Sequence, residues 1–261
     1  MKTIGLIGGG NMGEAIIAGT HQKYKVSVCE ANTGRVNYLK KKYRVAATDL
    51  SVLVGKSDVV IMAVKPQDFI GVLNQLADEN LKGKLIVSIA AGITVTLIEE
   101  HLGRGVKVVR TMPNMPALIG EGMTALSKGK FASGRDLNTA VNLFKNIGQT
   151  IVVQEKWIDA VTAVSGSGPA YVFLFVECLM NAARKLGFND RQARQLVYQT
   201  LLGSAHILEK TDEDAALLRA KVTSKGGTTQ AAMDVFMAHG IQDIFQKALN
   251  AARARARELA K

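Results

Sequence analysis

Short apolar runs alternate with helical spacings through roughly the first 154 residues. Thr3–Ile7 is followed by runs over 25–30, 58–64, 84–89 and 106–110, most rich in valine and isoleucine and separated by segments of helical character. Fully apolar, β-branched strands joined by helices predict a mostly parallel sheet covered on both faces. Two later runs, 123–126 and 150–153, extend that sheet at its edge. From Trp157 onward no strand pattern is found. Helical spacing predicts helices over 158–164, 170–186, 190–209, 214–222, 229–238 and 242–259, with Asp190 and Asp214 as N-caps. The fold class is therefore α/β for residues 1–154, followed by an all-helical domain over 155–261. No Pro/Gly-rich spacer marks the join, so the domains should pack rather than swing. That many apolar helical faces exceed what one small core can bury, and pairing with a second subunit through the long helices is the expected remedy.

The first strand runs into glycines spaced G-x-G-x-x-G at Gly8, Gly10 and Gly13, with Gly9, Asn11 and Met12 between them, and then into the helical run Ala15–Ala18. Such a turn lets the chain reverse tightly, bring backbone against a pyrophosphate and pack helix on strand, and the helix N-terminus favours phosphate. A glycine turn alone is a weak signal. Its strand-turn-helix context, with a second strand after it, favours a dinucleotide over a purely structural turn. Glu30 ends the second strand and could accept hydrogen bonds from an adenosine ribose while repelling a 2′-phosphate. Asn32 and Arg35 follow at once, and an arginine there can accommodate that phosphate, so NADH and NADPH both stay open. Glu30 as a plain solvated strand end is the other reading.

Composition changes the picture little. Thirty-three basic residues against 22 acidic ones give a net charge of +11, but aromatic residues are only 5% and no nucleic-acid-binding motif is present. The basic residues are scattered, so a solvated basic surface that attracts anionic small molecules is expected, and no nucleic acid. The four histidines show no metal-ligand spacing, and no metal is expected. Cys29 and Cys178 lie in apolar runs and read as reduced core residues. The longest apolar run, 171–183, contains Glu177 and is too short to span a bilayer; with no signal peptide, a soluble cytoplasmic chain is expected, without a membrane partner.

Four more stretches carry candidate chemistry. Ala63, Val64, Lys65 and Pro66 end the strand over 58–64, where ligands of open α/β sheets gather, although a strand-to-helix turn with an exposed lysine fits the local pattern as well. Arg110-Thr111-Met112-Pro113-Asn114-Met115-Pro116 holds two of the four prolines and reads as a stiff loop. In 161–171 a helical pattern is interrupted by Ser-Gly-Ser-Gly-Pro, with Pro169 cheap in the first turn of the helix that resumes. The break suits backbone approaching a nicotinamide ring with substrate above it, or else a simple kink. Finally, Ser224, Gly226, Gly227, Thr228 and Thr229 form a polar glycine-rich turn before a helix. Its hydroxyl and N–H groups could hold a carboxylate, or act as an ordinary N-cap.

Taken together these stretches resemble one family, the Δ1-pyrroline-5-carboxylate reductases, almost end to end. The resemblance implies a Rossmann-type domain, a helical dimerisation domain, and a dimer or an oligomer of dimers. It also implies NADPH- or NADH-dependent reduction of a cyclic imine carboxylate to proline, the last step of proline biosynthesis. Carried over by position, Gly8–Met12 would meet the pyrophosphate. Ala63, Lys65 and Pro66, with Ala90 and Ala91, would line the nicotinamide side. Thr162 would lie near the ring nitrogen and assist catalysis, and Ser224, Thr228 and Thr229 would hold the carboxylate. Three positions depart from the pattern. Lys225 stands where the family usually has proline. Leu50 stands where many members have asparagine beside the ribose. Glu30 stands where NADPH-preferring members often have a small or neutral residue.

An imine that arrives protonated needs no strong acid from the protein, which fits a site of hydroxyls and backbone donors without a catalytic histidine. The nearest enzyme rival is another imine or β-hydroxyacid-type reductase. The β-hydroxyacid dehydrogenases resemble this chain at the glycine-rich break, but they carry a catalytic lysine where Val172 stands here. A non-catalytic dinucleotide sensor is the rival outside enzymology.

Overall fold

The computed structural model describes residues 2–258. Contacts divide the chain into two compact units: one runs to Pro169 and resumes at Ala251, and the other is Ala170–Asn250. Each is described by itself.

The first unit is an eight-stranded sheet in the order β3-β2-β1-β4-β5-β6-β7-β8. Its strands are β1 (Thr3–Ile7), β2 (Lys25–Cys29), β3 (Ala46–Ala47), β4 (Val59–Met62), β5 (Leu85–Ser88), β6 (Lys107–Met112), β7 (Gly122–Lys128) and β8 (Gly148–Val152). The first six strands along the sheet run parallel, β7 is antiparallel to β6, and β8 is parallel to β7. Chain order reverses between β1 and β4, the switch point at which open α/β sheets bind ligands. The helices α1 (Asn11–Thr20), α2 (Thr33–Tyr43) and α6 (Gly134–Phe144) contribute to the apolar layer of Ile16, Ile17, Leu39, Leu143 and Phe144. The helices α3 (Leu50–Lys56), α4 (Pro66–Ala77) and α5 (Val95–Leu102) supply Leu53, Phe69, Leu73 and Ile98 to a second layer. β4 and β5 are buried along their whole length, which is why they read as unbroken apolar runs.

Several expectations need correction. β3 is a two-residue edge pairing, too short to leave a pattern. The stiff loop begins at Pro113, because Arg110, Thr111 and Met112 continue β6 and pair with Ser127, Leu126 and Ala125 of the antiparallel β7. The two later runs do extend the sheet beyond β6, with β7 between β6 and β8 and β8 as the edge strand on that side. The first unit also carries α7 (Ile158–Val161), which passes into a π-helical turn over Thr162–Gly166.

Beyond that turn the chain is helical: α8 (Gly168–Lys185), α9 (Asp190–Thr211), α10 (Ala215–Lys221), α11 (Thr228–Ala238) and α12 (Ile241–Glu258). Asp214 caps α10 through the Ala216 N–H. The N-cap of α9 is Asn189, not Asp190: its side chain accepts from Gln192 N–H while the Gln192 side chain accepts from Asn189 N–H, a reciprocal capping box that places Asp190 in the first turn. No residue of α8, α10 or α11 is buried, and Ala193 and Val197 are the buried residues of α9. Cys178 is consequently exposed and not a core residue, whereas Cys29 is half-buried; both are free thiols. Length likewise does not exclude a membrane span. The helical stretch Glu155–Lys185, 31 residues with a mean hydropathy of 1.4 at its most apolar, is long and apolar enough by composition to cross one.

Candidate active site

Gly8 leaves β1 with φ +97°, and a Cβ there would stand 2.6 Å from the Ala63 carbonyl oxygen just beyond β4. A Cβ on Gly13 would lie 2.4 Å from the Gly8 carbonyl, so α1 packs on the turn only because that position has no side chain. At Gly10 a Cβ would meet nothing within 4 Å. Gly10 is the N-cap of α1 and brings no side chain to its first turn, so that positive end faces open space. The cleft beside it, about 430 Å³, is lined among others by Gly8, Gly10, Glu30, Leu50, Val64 and Lys65. Lys65 is the N-cap of α4, and Pro66 fills the first helical position that spares its missing N–H. A turn that side chains cannot enter, with a helix N-terminus over an open cleft, fits a dinucleotide's diphosphate.

Gly9 does something different. It is buried, and its N–H donates to Glu30 Oε2 at 2.7 Å, while Glu30 Oε1 accepts from Asn32 N–H at 2.8 Å. Glu30 therefore braces the glycine turn. Asn32 spends its side-chain oxygen on Arg35 N–H as the N-cap of α2. The Arg35 guanidinium donates to the carbonyls of Gly9 and Gly10 and pairs with Glu14. Glu14 also accepts from Tyr38, Lys42 and Tyr43. Burial raises the Glu14 carboxyl, but the bonds from Lys42, Tyr43, Tyr38 and Arg35 outweigh it and hold it at about 2. None of this cluster but Arg35 was visible as a site in the sequence, because its members converge from two helices.

On the other side of the switch point, β5 ends in Ser88, followed by buried Ala90 and half-buried Ala91. Thr111 Oγ1 donates to the Ser88 carbonyl and ties β6 to β5. Thr162 lies in the π-helical turn, a deformation frequent at functional sites. Its carbonyl accepts from Ser167 N–H at 2.8 Å, and its hydroxyl donates to the Ile158 carbonyl at 2.8 Å. The turn presses on the end of β6, since a Cβ on Gly166 would stand 2.7 Å from Met112 Cε. Asn114 donates to Ser165 at its carbonyl and hydroxyl oxygens, and accepts from Met123 N–H. Buried Arg110 pairs with Glu155 and Asp159, and Glu155 also accepts from Val95 N–H. Gly166 thus closes the π-helical turn and Gly168 opens α8, with Ser167 between them outside either element. Arg110 stood in a quoted motif, but its acidic partners, far along the chain, left no local signal.

In the second unit, Ser224–Gly227 closes a turn through Gly227 N–H to the Ser224 carbonyl at 3.0 Å, with Gly226 at φ +71°. Positive φ at the third position alone marks a type II turn, and Lys225 occupies its second position, where proline is favoured. Gly227 caps α11 without a side chain, which leaves the first-turn N–H groups around Thr228 and Thr229 without a side-chain cap.

A glycine turn at a sheet switch point, opening on a cleft lined by the strand-end residues Ala63, Val64 and Lys65, is the arrangement of a dinucleotide-dependent oxidoreductase. Residues 3–92 match the family described as NADP oxidoreductase, coenzyme F420-dependent, and residues 155–259 match that described as pyrroline-5-carboxylate reductase dimerisation. The chain is 38% identical over 285 residues to the pyrroline-5-carboxylate reductase of Mycobacterium leprae, covering 99% of this chain and 97% of that protein. The solved pyrroline-5-carboxylate reductase of Coxiella burnetii superposes with TM-score 0.92 at 37% identity, over 100% of this chain and 99% of that one. That of Plasmodium falciparum, solved with NADP bound, gives TM-score 0.90 at 29% identity over 100% and 98%. The chain belongs to the pyrroline-5-carboxylate reductase family.

Proposed function

We propose that this protein reduces 1-pyrroline-5-carboxylate to L-proline with NADPH or NADH, and that it works as a soluble, cytoplasmic dimer or oligomer of dimers. The observation that carries the reading is the pairing, in one chain, of a diphosphate-accepting glycine turn with the π-helical Thr162 turn clamped to the end of β6. Residues 155–261 are read as the dimerisation and substrate domain.

A bound reduced nicotinamide supplies the hydride, which adds to the imine carbon while the C=N pair moves to nitrogen. The protein's part is placement and charge. Gly8, Gly10, Asn11, Met12 and Gly13 receive the diphosphate, and Ala63–Pro66 with Ala90 and Ala91 form the nicotinamide wall. The hydroxyls of Ser224, Thr228 and Thr229, with the N–H groups around Gly226 and Gly227, hold the carboxylate. Thr162 acts in a narrower way than an acid would. Its hydroxyl proton is committed to the Ile158 carbonyl, so its oxygen offers lone pairs. It accepts a hydrogen bond from the protonated imine nitrogen and fixes the ring, and the proton arrives with the substrate.

The test is loss of reduced-nicotinamide absorbance on adding 1-pyrroline-5-carboxylate to the purified chain, with proline as the product. Oxidation without proline, or none with either cofactor, overturns the reading.

A further inference from the structure

The cleft beside the glycine turn is lined by a carboxylate just beyond the end of β2. Glu30 takes both its hydrogen bonds from backbone, at Gly9 and Asn32, and is in none of the ion pairs among the described residues. Its charge therefore stands unneutralised at the end of β2, in the lining of the cleft beside Ala31 and Leu50. The two groups just after it in sequence that could welcome a 2′-phosphate, Asn32 and Arg35, are already engaged. The Asn32 N–H is given to Glu30 and the Arg35 N–H to the Asn32 side chain. The Arg35 guanidinium is drawn to the Gly9 and Gly10 carbonyls and paired with Glu14, a carboxylate it shares with Lys42. The Leu50 side chain offers no donor.

We infer that Glu30 is the specificity-determining residue for the cofactor, that it selects NADH over NADPH, and that Arg35 is a brace of the glycine turn rather than a phosphate reader. The inference rests on the reductase reading, since it concerns the cofactor of that same site. The physical cause is simple. A 2′-hydroxyl can donate to the carboxylate, whereas a 2′-phosphate brings a dianion against it, and the arginine nearest in sequence is already held by the Gly9 and Gly10 carbonyls and by Glu14. Both backbone bonds also fix the carboxylate, so it cannot swing away to relieve the repulsion.

The experiment is equilibrium binding, read by the fluorescence of the reduced nicotinamide, with NADH and NADPH on the wild type, Glu30→Ser and Arg35→Ala. AMP and 2′,5′-ADP serve as competing probes of the adenosine end alone. Wild type should bind NADH at least about tenfold more tightly than NADPH, roughly 1.4 kcal/mol, and AMP should compete better than 2′,5′-ADP. Glu30→Ser should reduce the NADPH-to-NADH ratio of dissociation constants about tenfold or more, even if the loosened turn weakens both. Arg35→Ala should weaken both cofactors alike and leave the ratio within about threefold. A wild-type ratio near one or inverted overturns the proposal, as does a ratio that Glu30→Ser leaves unchanged or a loss confined to NADPH in Arg35→Ala. Imine-dependent oxidation that persists beside an inverted ratio would leave the reductase reading intact and remove this proposal alone. Failure to bind either dinucleotide, with a folded circular dichroism spectrum, removes both.

Discussion

At the scale of single residues, hydroxyls and turns carry the expected outcomes. Replacing Thr162 by alanine removes an oxygen that already has its proton bonded to Ile158, so the helix loses little and, on the proposed reading, the imine loses its acceptor. Turnover should fall roughly tenfold or more while dinucleotide affinity barely changes, as steady-state kinetics beside a binding titration would show. Equal losses in both would mean the π turn itself had rearranged. Thr229→Ala should instead raise KM for the imine about tenfold, the scale of a hydrogen bond to a charged group, with kcat nearly kept. Lys225 concerns folding. It sits at the second position of a type II turn, and Lys225→Pro should stabilise by about 0.4–1 kcal/mol through the unfolded chain, seen as a higher Tm. Much of this was legible in the sequence. Glycines and prolines announce backbone needs locally, so the turns at Gly8 and Ser224 could be read in advance. What Glu30 and Arg35 touch could not, because their partners arrive from separate elements.

At the scale of elements, α1 and α2 are joined by one carboxylate. Glu14 on α1 receives Arg35, Tyr38, Lys42 and Tyr43, all from α2, and its side chain is only 12% exposed. Holding its pKa at about 2 against an ordinary 4.5 means that the folded form favours the charged carboxylate. That stabilisation is complete above pH 4.5 and is lost as pH falls towards 2. Allowing for screening near the surface, it contributes roughly 2 kcal/mol. Glu14→Gln should lower stability by about that amount at neutral pH and flatten its fall over the acid range, measured by denaturant unfolding at several pH values. An unaltered acid limb would place the sensitivity elsewhere, with Asp58 and Asp136, both also held below their usual range, the next groups to replace. The elements themselves were readable where periodicity is long and burial one-sided, as in β4, β5 and the long helices. They were misread where pairing is tertiary: the two-residue β3, and the Arg110–Met112 segment that only the antiparallel β7 turns into strand.

At the scale of the whole molecule, α8 poses the question that one chain leaves unanswered. Val172, Phe173, Leu174 and Phe175 follow one another, point around the whole circumference of the helix, and are 44%, 57%, 59% and 48% exposed. A helix that is apolar all round belongs inside a core, and here α8 has no buried residue. The long helix α9 adds Leu196, Leu202, Ile207 and Leu208 to the exposed apolar surface. Exposed apolar side chains in this number mark an interaction surface, and they fall inside the segment that matches the dimerisation family. Packing against a second copy would remove it from water. Sedimentation equilibrium at micromolar concentration should show at least a dimer, and the Tm should rise with protein concentration because association is linked to folding. Leu174→Glu together with Phe175→Glu should shift the protein to monomer and lower its Tm markedly, while Ile119→Glu, a still more exposed site on the first unit, should leave both unchanged. A wild-type monomer would mean that the apolar helices meet something other than this chain. Recovery of the wild type with detergent or lipid bound to it would point to the bilayer that the length of the 155–185 stretch allows.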